Sequence, residues 1–399
     1  LDPPIDSDAT DLTPVLDSIE KRLAQYIPVN GNGRATQLFV SQLTREHLRK
    51  TMSFFLSISP DQKPVPFQDV GTGTLNTLVL ALLSFIAEVK KENVIFAMEE
   101  PEIALPPHTQ RRIANYLLEE TTQCFVTSHS PYVIERFDPN QIMILRRGTA
   151  ADLTATVVSS GTTLKGKMYK RHARRGLAEA MLGPGVIVAE GITEHSALTA
   201  VADKLETADL NRYPLDLSGI TIFPVDGDGS LPNFGAFFKA LGLKTYAFYD
   251  QKPRKAEENQ KFIDSFDVPN ETVYTGIELL MVAETPVDRQ WQFLDALRQS
   301  GEQGNLGIPA ARPDDETVKG HMAKALKSNK GNGYAARLID LCDVAELPAS
   351  ITGFLGRVYA DFPRPEPAPL PPAKGEAAEV AQLAAEPAAQ PAAPVDDEL

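Results

Sequence analysis

The sequence predicts an α/β protein built from two successive units, and two observations support this fold class. Apolar runs typical of strands alternate with helical patterns from Thr36 to Val158, and the alternation resumes from Val186 to Tyr249. In both stretches, strands end directly in clusters of polar residues, as at the ligand-binding carboxyl edge of a parallel sheet. Helical patterns dominate from about residue 255 to about 340, so we expect a helical insertion in the second unit.

Length and composition limit the classes of protein to which this chain can belong. At roughly 150 residues per domain, 399 residues predict two or three domains. A formal net charge of −14 argues against a protein that binds nucleic acid through positive charge over its whole surface, so we expect any nucleic-acid site to be local. No apolar run approaches the roughly 18 residues that cross a bilayer, and neither a leader nor a cysteine framework is evident. We therefore expect a cytoplasmic protein without a membrane partner, and because it begins with Leu1, a fragment of a longer one.

Acidic residues follow a strand in the first unit. The strand from Val94 to Met98 runs into Glu99 and Glu100, and the next strand ends at Ser128-His129. One carboxylate of such a pair can hold the water shell of a magnesium ion and the next can polarise the attacking water, while the histidine contacts a γ-phosphate. We interpret Glu99, Glu100 and His129 as nucleotide-site residues.

This arrangement resembles the Walker B and switch-histidine elements of ABC-type ATPases. Gly71 to Thr74, before an apolar helix, is similar in place to the signature loop of that family. The nearest match to a P-loop, Gly161 to Lys167, is followed by Met168 and lies on the wrong side of Glu99 in the chain. We therefore expect half of an ATPase domain whose P-loop precedes Leu1. The resemblance implies ATP binding and a homodimer in the full-length protein only.

Carboxylates follow three strands of the second unit. Glu190 ends the strand from Val186 to Ala189, and Glu194 comes one helical turn later on the same face. The next two strands end in further carboxylates, namely Asp226, Asp228 and Asp250. We expect these groups to converge with no intervening Lys or Arg, and their mutual repulsion calls for cations. Hard oxygen ligands favour Mg²⁺ or Mn²⁺, and two such ions can clamp the attacking and leaving oxygens of a phosphodiester.

The second pattern resembles the Toprim fold, a parallel Rossmann-like sheet found in topoisomerases, primases and small nucleases. Together with the ATPase half, the order from Gln68 to Ile339 is similar to the overcoming-lysogenisation-defect (OLD) family of nucleases. The resemblance implies DNA as partner and cleavage by two metal ions, with Glu190 and Asp250 as catalytic residues. Where Toprim proteins have Asp-x-Asp, this chain has Asp250-Gln251-Lys252, so Asp226 or Asp228 is expected to complete the second metal site.

Two further residues have open interpretations. Glu278 either approaches the metals, as a later glutamate does in the family, or lies on a helix surface. Lys330 either steadies the pentavalent phosphate as a fixed cation, which makes it catalytic, or is a solvated loop lysine.

A basic segment joins the two units. Its residues either contact DNA or keep a solvated linker extended. They are Lys165, Lys167, Lys170, Arg171, Arg174 and Arg175. We predict an ATPase region at 1–160, this linker at 161–180, a Toprim domain at 181–362, and a disordered, acidic, Pro- and Ala-rich tail at 363–399.

Two other functions remain open. A topoisomerase- or primase-like Toprim enzyme needs a nucleophilic tyrosine in a separate cleavage domain or a polymerising region, and the sequence shows neither. A structural ATPase of the SMC kind with a degenerate Toprim needs long heptad coils, which the sequence also lacks.

Overall fold

A computed structural model describes nine stretches of the chain: 13–26, 36–40, 52–57, 63–90, 95–121, 123–148, 152–157, 174–225 and 227–365. Several predicted features lie outside these residues: Lys165, Lys167, Lys170, Arg171, Asp226, the segment from Gly161 to Lys167, and the tail beyond residue 365. The side chains of Arg174 and Asp228 are also outside the description.

The first unit contains seven described strands and four described helices. In chain order they are α1 (Thr13–Leu23), β1 (Thr36–Val40), β2 (Met52–Leu56), β3 (Val65–Pro66), α2 (Thr72–Lys90), β4 (Ile95–Glu99), α3 (Pro107–Glu119), β5 (Gln123–Thr127), α4 (Pro131–Ile134), β6 (Met143–Arg147) and β7 (Leu153–Val157). Local signals fix the ends of several helices. Pro107 occupies the first turn of α3, where its missing N–H costs nothing, and the Ser130 side chain caps α4.

The described strands of the first unit form three small sheets. β4 and β5 pair in parallel, as the predicted α/β alternation requires, with Glu99 opposite Thr127 in the register. β1, β2 and β3 form an antiparallel sheet, and β6 and β7 form an antiparallel hairpin. The expected α/β layout therefore holds for the β4–α3–β5 segment, which carries the acidic residues to one edge.

The second unit contains four described strands and ten described helices. In chain order they are α5 (Arg174–Leu182), β8 (Gly185–Ala189), α6 (Ile192–Ala208), α7 (Leu215–Ser218), β9 (Ile220–Pro224), α8 (Leu231–Ala240), β10 (Lys244–Tyr249), α9 (Ala256–Ser265), β11 (Val268–Glu271), α10 (Ile277–Glu284), α11 (Val287–Gln299), α12 (Asp315–Ser328), α13 (Tyr334–Asp340) and α14 (Ala349–Asp361).

These four strands form one parallel sheet in the order β11-β10-β8-β9. Alternate residues of its central strands enter two different cores: Tyr246 and Phe248 pack with α6 and the helices after β11, whereas Ala247 and Tyr249 pack with α5, α8 and α9. Every residue of β8 is buried, which explains its continuous apolar sequence. The sheet is therefore the middle layer of three, as in a Rossmann-like fold.

The helical segment differs from the prediction in one place. β11 adds an edge strand at Val268–Glu271 where no strand was expected, and Pro269 is tolerated there because the edge leaves part of the backbone unpaired. In the same segment, Phe293 is buried in the core and Trp291 is partly buried against it. Among the described residues, no helix combines the length and apolar character needed to cross a membrane.

Candidate active site

The parallel sheet brings three strand ends together. β8, β9 and β10 run in the same direction, so Glu190 and Asp250 leave the sheet at one edge, on adjacent strands. The turn after β9 joins them: the Gly227 N–H donates to the Glu190 carbonyl at 3.1 Å. Gly227 has a φ of 93°, a conformation open to glycine and strained for other residues, which explains the glycine between Asp226 and Asp228.

Two of the carboxylates are more than nine-tenths buried. Glu194, in the first turn of α6, and Asp250 are each 6% exposed. Burial, together with the charges of Asp250, Glu190 and Glu278, raises the pKa of Glu194 to about 7. Burial likewise raises the pKa of Asp250 to about 6, with added repulsion from Glu190. The carboxylates therefore destabilise one another's charged forms, and a bound cation would relieve this.

Glu278 and Lys330 belong to the same cluster. Glu278 lies in the first turn of α10, and the Lys330 ammonium lies 2.7 Å from its Oε1. This contact raises the pKa of Lys330, and the charges of Glu194 and Asp250 contribute to the same increase. The structure thus places both residues beside the strand-end carboxylates, although neither belongs to the sheet.

We expected the carboxylates to converge with no lysine or arginine among them, and the position of Lys252 shows that this expectation was wrong. Its ammonium forms an ion pair and a hydrogen bond with Glu190 Oε1. The loop after β10 turns Lys252 back toward β8, so a residue noted only as a departure from Asp-x-Asp contacts the central carboxylate. In the sequence, the position of Lys252 two residues after Asp250 could have indicated this contact.

Three carboxylate oxygens of the cluster are buried without a hydrogen-bond partner: Glu190 Oε2, Asp250 Oδ1 and Glu278 Oε1, the last of which forms the ion pair with Lys330. Burying such an oxygen without a partner costs free energy, and a bound cation would offset this cost. Within the described part of the chain, no three acidic, histidine or cysteine side chains have the arrangement of a formed metal site. The structure brings together Glu190, Glu194, Asp250, Glu278 and Lys330, and it leaves the contribution of the Asp226 and Asp228 side chains undescribed.

The acidic residues of the first unit also lie at a strand edge. Glu99 ends β4 and is exposed, and Glu100 follows it with a φ of 42°, an unusual conformation for a residue other than glycine. His129 Nε2 lies 3.5 Å from Glu100 Oε1, and the His129 side chain is 83% exposed. Glu100 and His129, two of the predicted nucleotide-site residues, are thus in contact, and the histidine is open to solvent.

Glu102 organises this edge, a role that the sequence reasoning did not assign. Its buried carboxylate accepts hydrogen bonds from the Ser128 hydroxyl at 2.6 Å and from the His129 N–H at 3.0 Å. It therefore links the residues after β4 to the turn after β5. In the sequence, Glu102 is the third acidic residue of Glu-Glu-Pro-Glu, a pattern typical of a charged turn. Its role becomes evident only when the position of the neighbouring strand is known.

We expect Glu102→Ala to lower the free energy of unfolding by about 1–3 kcal/mol, because it leaves two part-buried donors without an acceptor. Glu102→Gln retains an acceptor oxygen and should cost less. Urea denaturation of both variants, with Glu119→Ala on the exposed face of α3 as control, measures the difference. Equal losses for the alanine and glutamine variants would contradict this role.

One residue of the basic segment has a described side chain. The Arg175 guanidinium lies 5.7 Å from the centre of the Tyr132 ring, on α4 of the first unit. A Cβ on the adjacent Gly176 would lie 3.6 Å from the Phe223 ring, near the carboxyl end of β9. The amino end of α5 is therefore near the sheet edge that carries the carboxylates.

Comparison with known proteins identifies both units. Residues 5–134 match the family model of the AAA ATPase domain, and residues 182–251 match that of the TOPRIM domain of overcoming lysogenization defect protein-like proteins. The second match contains Glu190, Glu194 and Asp250, whereas Glu278 and Lys330 lie beyond it. Both units and their order are as the sequence predicted, and these predictions are confirmed.

Individual proteins share part of the chain. The Old nuclease of Escherichia phage P2 is 25% identical over 250 residues, which are 58% of this chain and 41% of that protein. The Endonuclease GajA of Bacillus cereus (strain VD045) is 26% identical over 140 residues, 34% of this chain and 24% of that protein. The chain thus spans less than half the length of either relative. The solved C-terminal region of the Burkholderia pseudomallei OLD protein matches 45% of this chain and 98% of its own, with 16% identity and a TM-score of 0.33.

Proposed function

We propose that this chain, in which a segment of the AAA ATPase kind precedes a TOPRIM domain of the overcoming lysogenization defect kind, is a metal-dependent DNA endonuclease that nicks or cuts through its TOPRIM domain. The observation that carries the proposal is the set of buried carboxylates at one sheet edge, where Glu190 Oε2 and Asp250 Oδ1 have no hydrogen-bond partner. The names of the two relatives, a nuclease and an endonuclease, support the same class of reaction.

The residues present fit a divalent metal ion. Glu190 Oε2 and Asp250 Oδ1 are buried, unpartnered and on adjacent strands, and Glu194 is buried beside them. These donors are hard oxygens, which suit Mg²⁺ or Mn²⁺ better than softer ions. When bound, such an ion supplies Lewis-acid stabilisation of the negative charge that builds up on a phosphate during hydrolysis. We assign the ion to Glu190, Glu194 and Asp250.

The remaining charged groups position the phosphate. Lys330 is held by Glu278, and its side chain is 60% exposed, so its ammonium remains accessible to a phosphate oxygen. A fixed cation at this point would stabilise the extra negative charge of the pentavalent phosphate. Glu278 accordingly acts through Lys330, by holding it beside the carboxylates.

The first unit has a proposed role only in a longer protein. Glu99, Glu100 and His129 would serve ATP hydrolysis once a P-loop cradles the phosphates, and a homodimer would let signature loops act across protomers. The hydrogen bonds of Glu102 hold the turn that carries His129 and so support this assignment. The proposed boundaries are an ATPase region at 1–160, a linker at 161–180 and a TOPRIM domain at 181–362.

Supercoiled plasmid tests the proposal. We expect the chain to convert it to open circles and linear DNA in Mg²⁺ or Mn²⁺ without ATP, and to leave it intact in EDTA. Relaxed circles that remain covalently closed would instead indicate a topoisomerase. Intact plasmid under all conditions, with protein shown to be folded by circular dichroism, would contradict the nuclease assignment.

A further inference from the structure

The carboxylate oxygens at the edge of the parallel sheet fall into two groups. Glu190 Oε1 and Glu278 Oε1 each face a lysine ammonium, from Lys252 and Lys330 respectively. Glu190 Oε2 and Asp250 Oδ1 face no hydrogen-bond partner. Two lysines thus neutralise one part of the described cluster and leave the other part open to an ion.

The position of Lys252 is built into the fold. The loop that carries it is tied to the next strand connection, since Gln251 N–H donates to the Tyr274 carbonyl at 2.8 Å. The Lys252 N–H itself points to Glu271 Oε1, at the end of β11, at 3.4 Å. With its backbone held on this side, the Lys252 side chain reaches across the carboxyl end of β10 to Glu190 on β8.

We propose that Lys252 takes the place of a second metal ion: the site holds one divalent ion, and the Lys252 ammonium carries the other positive charge against Glu190. The inference rests on the proposed nuclease function and changes the expected number of ions from two to one. A protonated lysine has no lone pair, so residue 252 cannot be a metal ligand. It can, however, offset the same carboxylate charge that a second ion would offset.

The fixed lysines disfavour a second ion at this edge. The Lys252 ammonium contacts Glu190 and the Lys330 ammonium contacts Glu278. A second divalent ion placed against the same carboxylates would lie at short range from these positive charges, and the repulsion between like charges would weaken its binding.

Counting bound Mn²⁺ by electron paramagnetic resonance tests the inference, with Glu190→Gln as the background to be subtracted. The unmodified chain should bind one ion at the site. Lys252→Asp restores Asp-x-Asp and should bind two. Lys255→Asp makes the same charge change three residues away, at an exposed position, and should still bind one.

A second variant covers the case in which Lys252→Asp does not fold. Lys252→Met removes the ammonium without adding a ligand, so we expect one ion to bind about tenfold more tightly, because a nearby like charge is gone. Plasmid cleavage by Lys252→Met should nevertheless fall at saturating Mn²⁺. Tighter metal binding together with slower cleavage is not expected of a lysine that only stabilises the fold.

The outcomes separate this inference from the function on which it rests. Two ions in the unmodified chain, or one ion in a folded Lys252→Asp protein, would overturn the role of Lys252 and leave the nuclease proposal standing. An unchanged Mn²⁺ affinity in Lys252→Met would also overturn it. No Mn²⁺ above the Glu190→Gln background would overturn the metal-dependent function itself.

Discussion

Glu190→Gln should lower the rate of plasmid cleavage by more than about 100-fold, because it removes a charged oxygen that we assign to the metal and that no other described group replaces. Asp250→Asn should have a similar effect, since Asp250 Oδ1 is likewise buried without a hydrogen-bond partner. Initial rates of open-circle formation in saturating Mn²⁺ measure both losses.

The fold should survive both substitutions. Asp250 is buried beside the charges of Glu190 and Glu278, so asparagine there lowers the repulsion in the metal-free protein. Glutamine at position 190 loses the charge that faces Lys252 but keeps an oxygen that accepts its hydrogen bond. Thermal unfolding without metal should therefore occur at the same temperature or higher. Glu257→Gln, at an exposed position in the first turn of α9, is the matched control and should cleave normally. Undiminished cleavage by a folded Glu190→Gln protein would refute the assignment of the active site.

Replacing Lys170, Arg171, Arg174 and Arg175 by alanine should flatten the salt dependence of DNA binding. Each phosphate contact contributes about −0.9 to the slope of log K against log salt, so losing four contacts changes the slope by up to roughly 3–4 units. Affinity should fall alike for all DNA sequences, because phosphate contacts carry no base information. Binding of a labelled duplex from low to high salt, in a Glu190→Gln background that prevents cleavage, measures the slope.

Structure supports this prediction at one end of the basic segment. The first turn of α5 lies next to Phe223, near the carboxyl end of β9 and the edge that carries the carboxylates. Arg175 belongs to this turn, and its side chain is exposed. The control removes lysines from the helical segment instead, in a Lys319→Ala, Lys324→Ala, Lys327→Ala triple variant, and should keep the parent slope. If the triple variant loses the slope and the quadruple variant keeps it, DNA is held by α12.

The sequence alone determined the elements that local patterns encode. Runs such as Val186 to Ala189 are apolar at every position because both faces of the strand are buried, so they identify a central parallel strand. The residue that follows such a strand must lie at the carboxyl edge, so the sequence alone placed Glu190 and Asp250 at that edge. The two motif sets and their order likewise identified both units.

Tertiary structure alone decided which distant residues join that edge. Glu278 and Lys330 come from helices and loops whose positions depend on how α10, α12 and α13 pack against the sheet, and local periodicity does not encode that packing. The short edge strand β11, which holds the loop of Lys252, also lacks a distinct local pattern because it contains a proline. The contact of Lys252 with Glu190 joins residues 62 positions apart, and only the folded sheet brings that cation to the carboxylate.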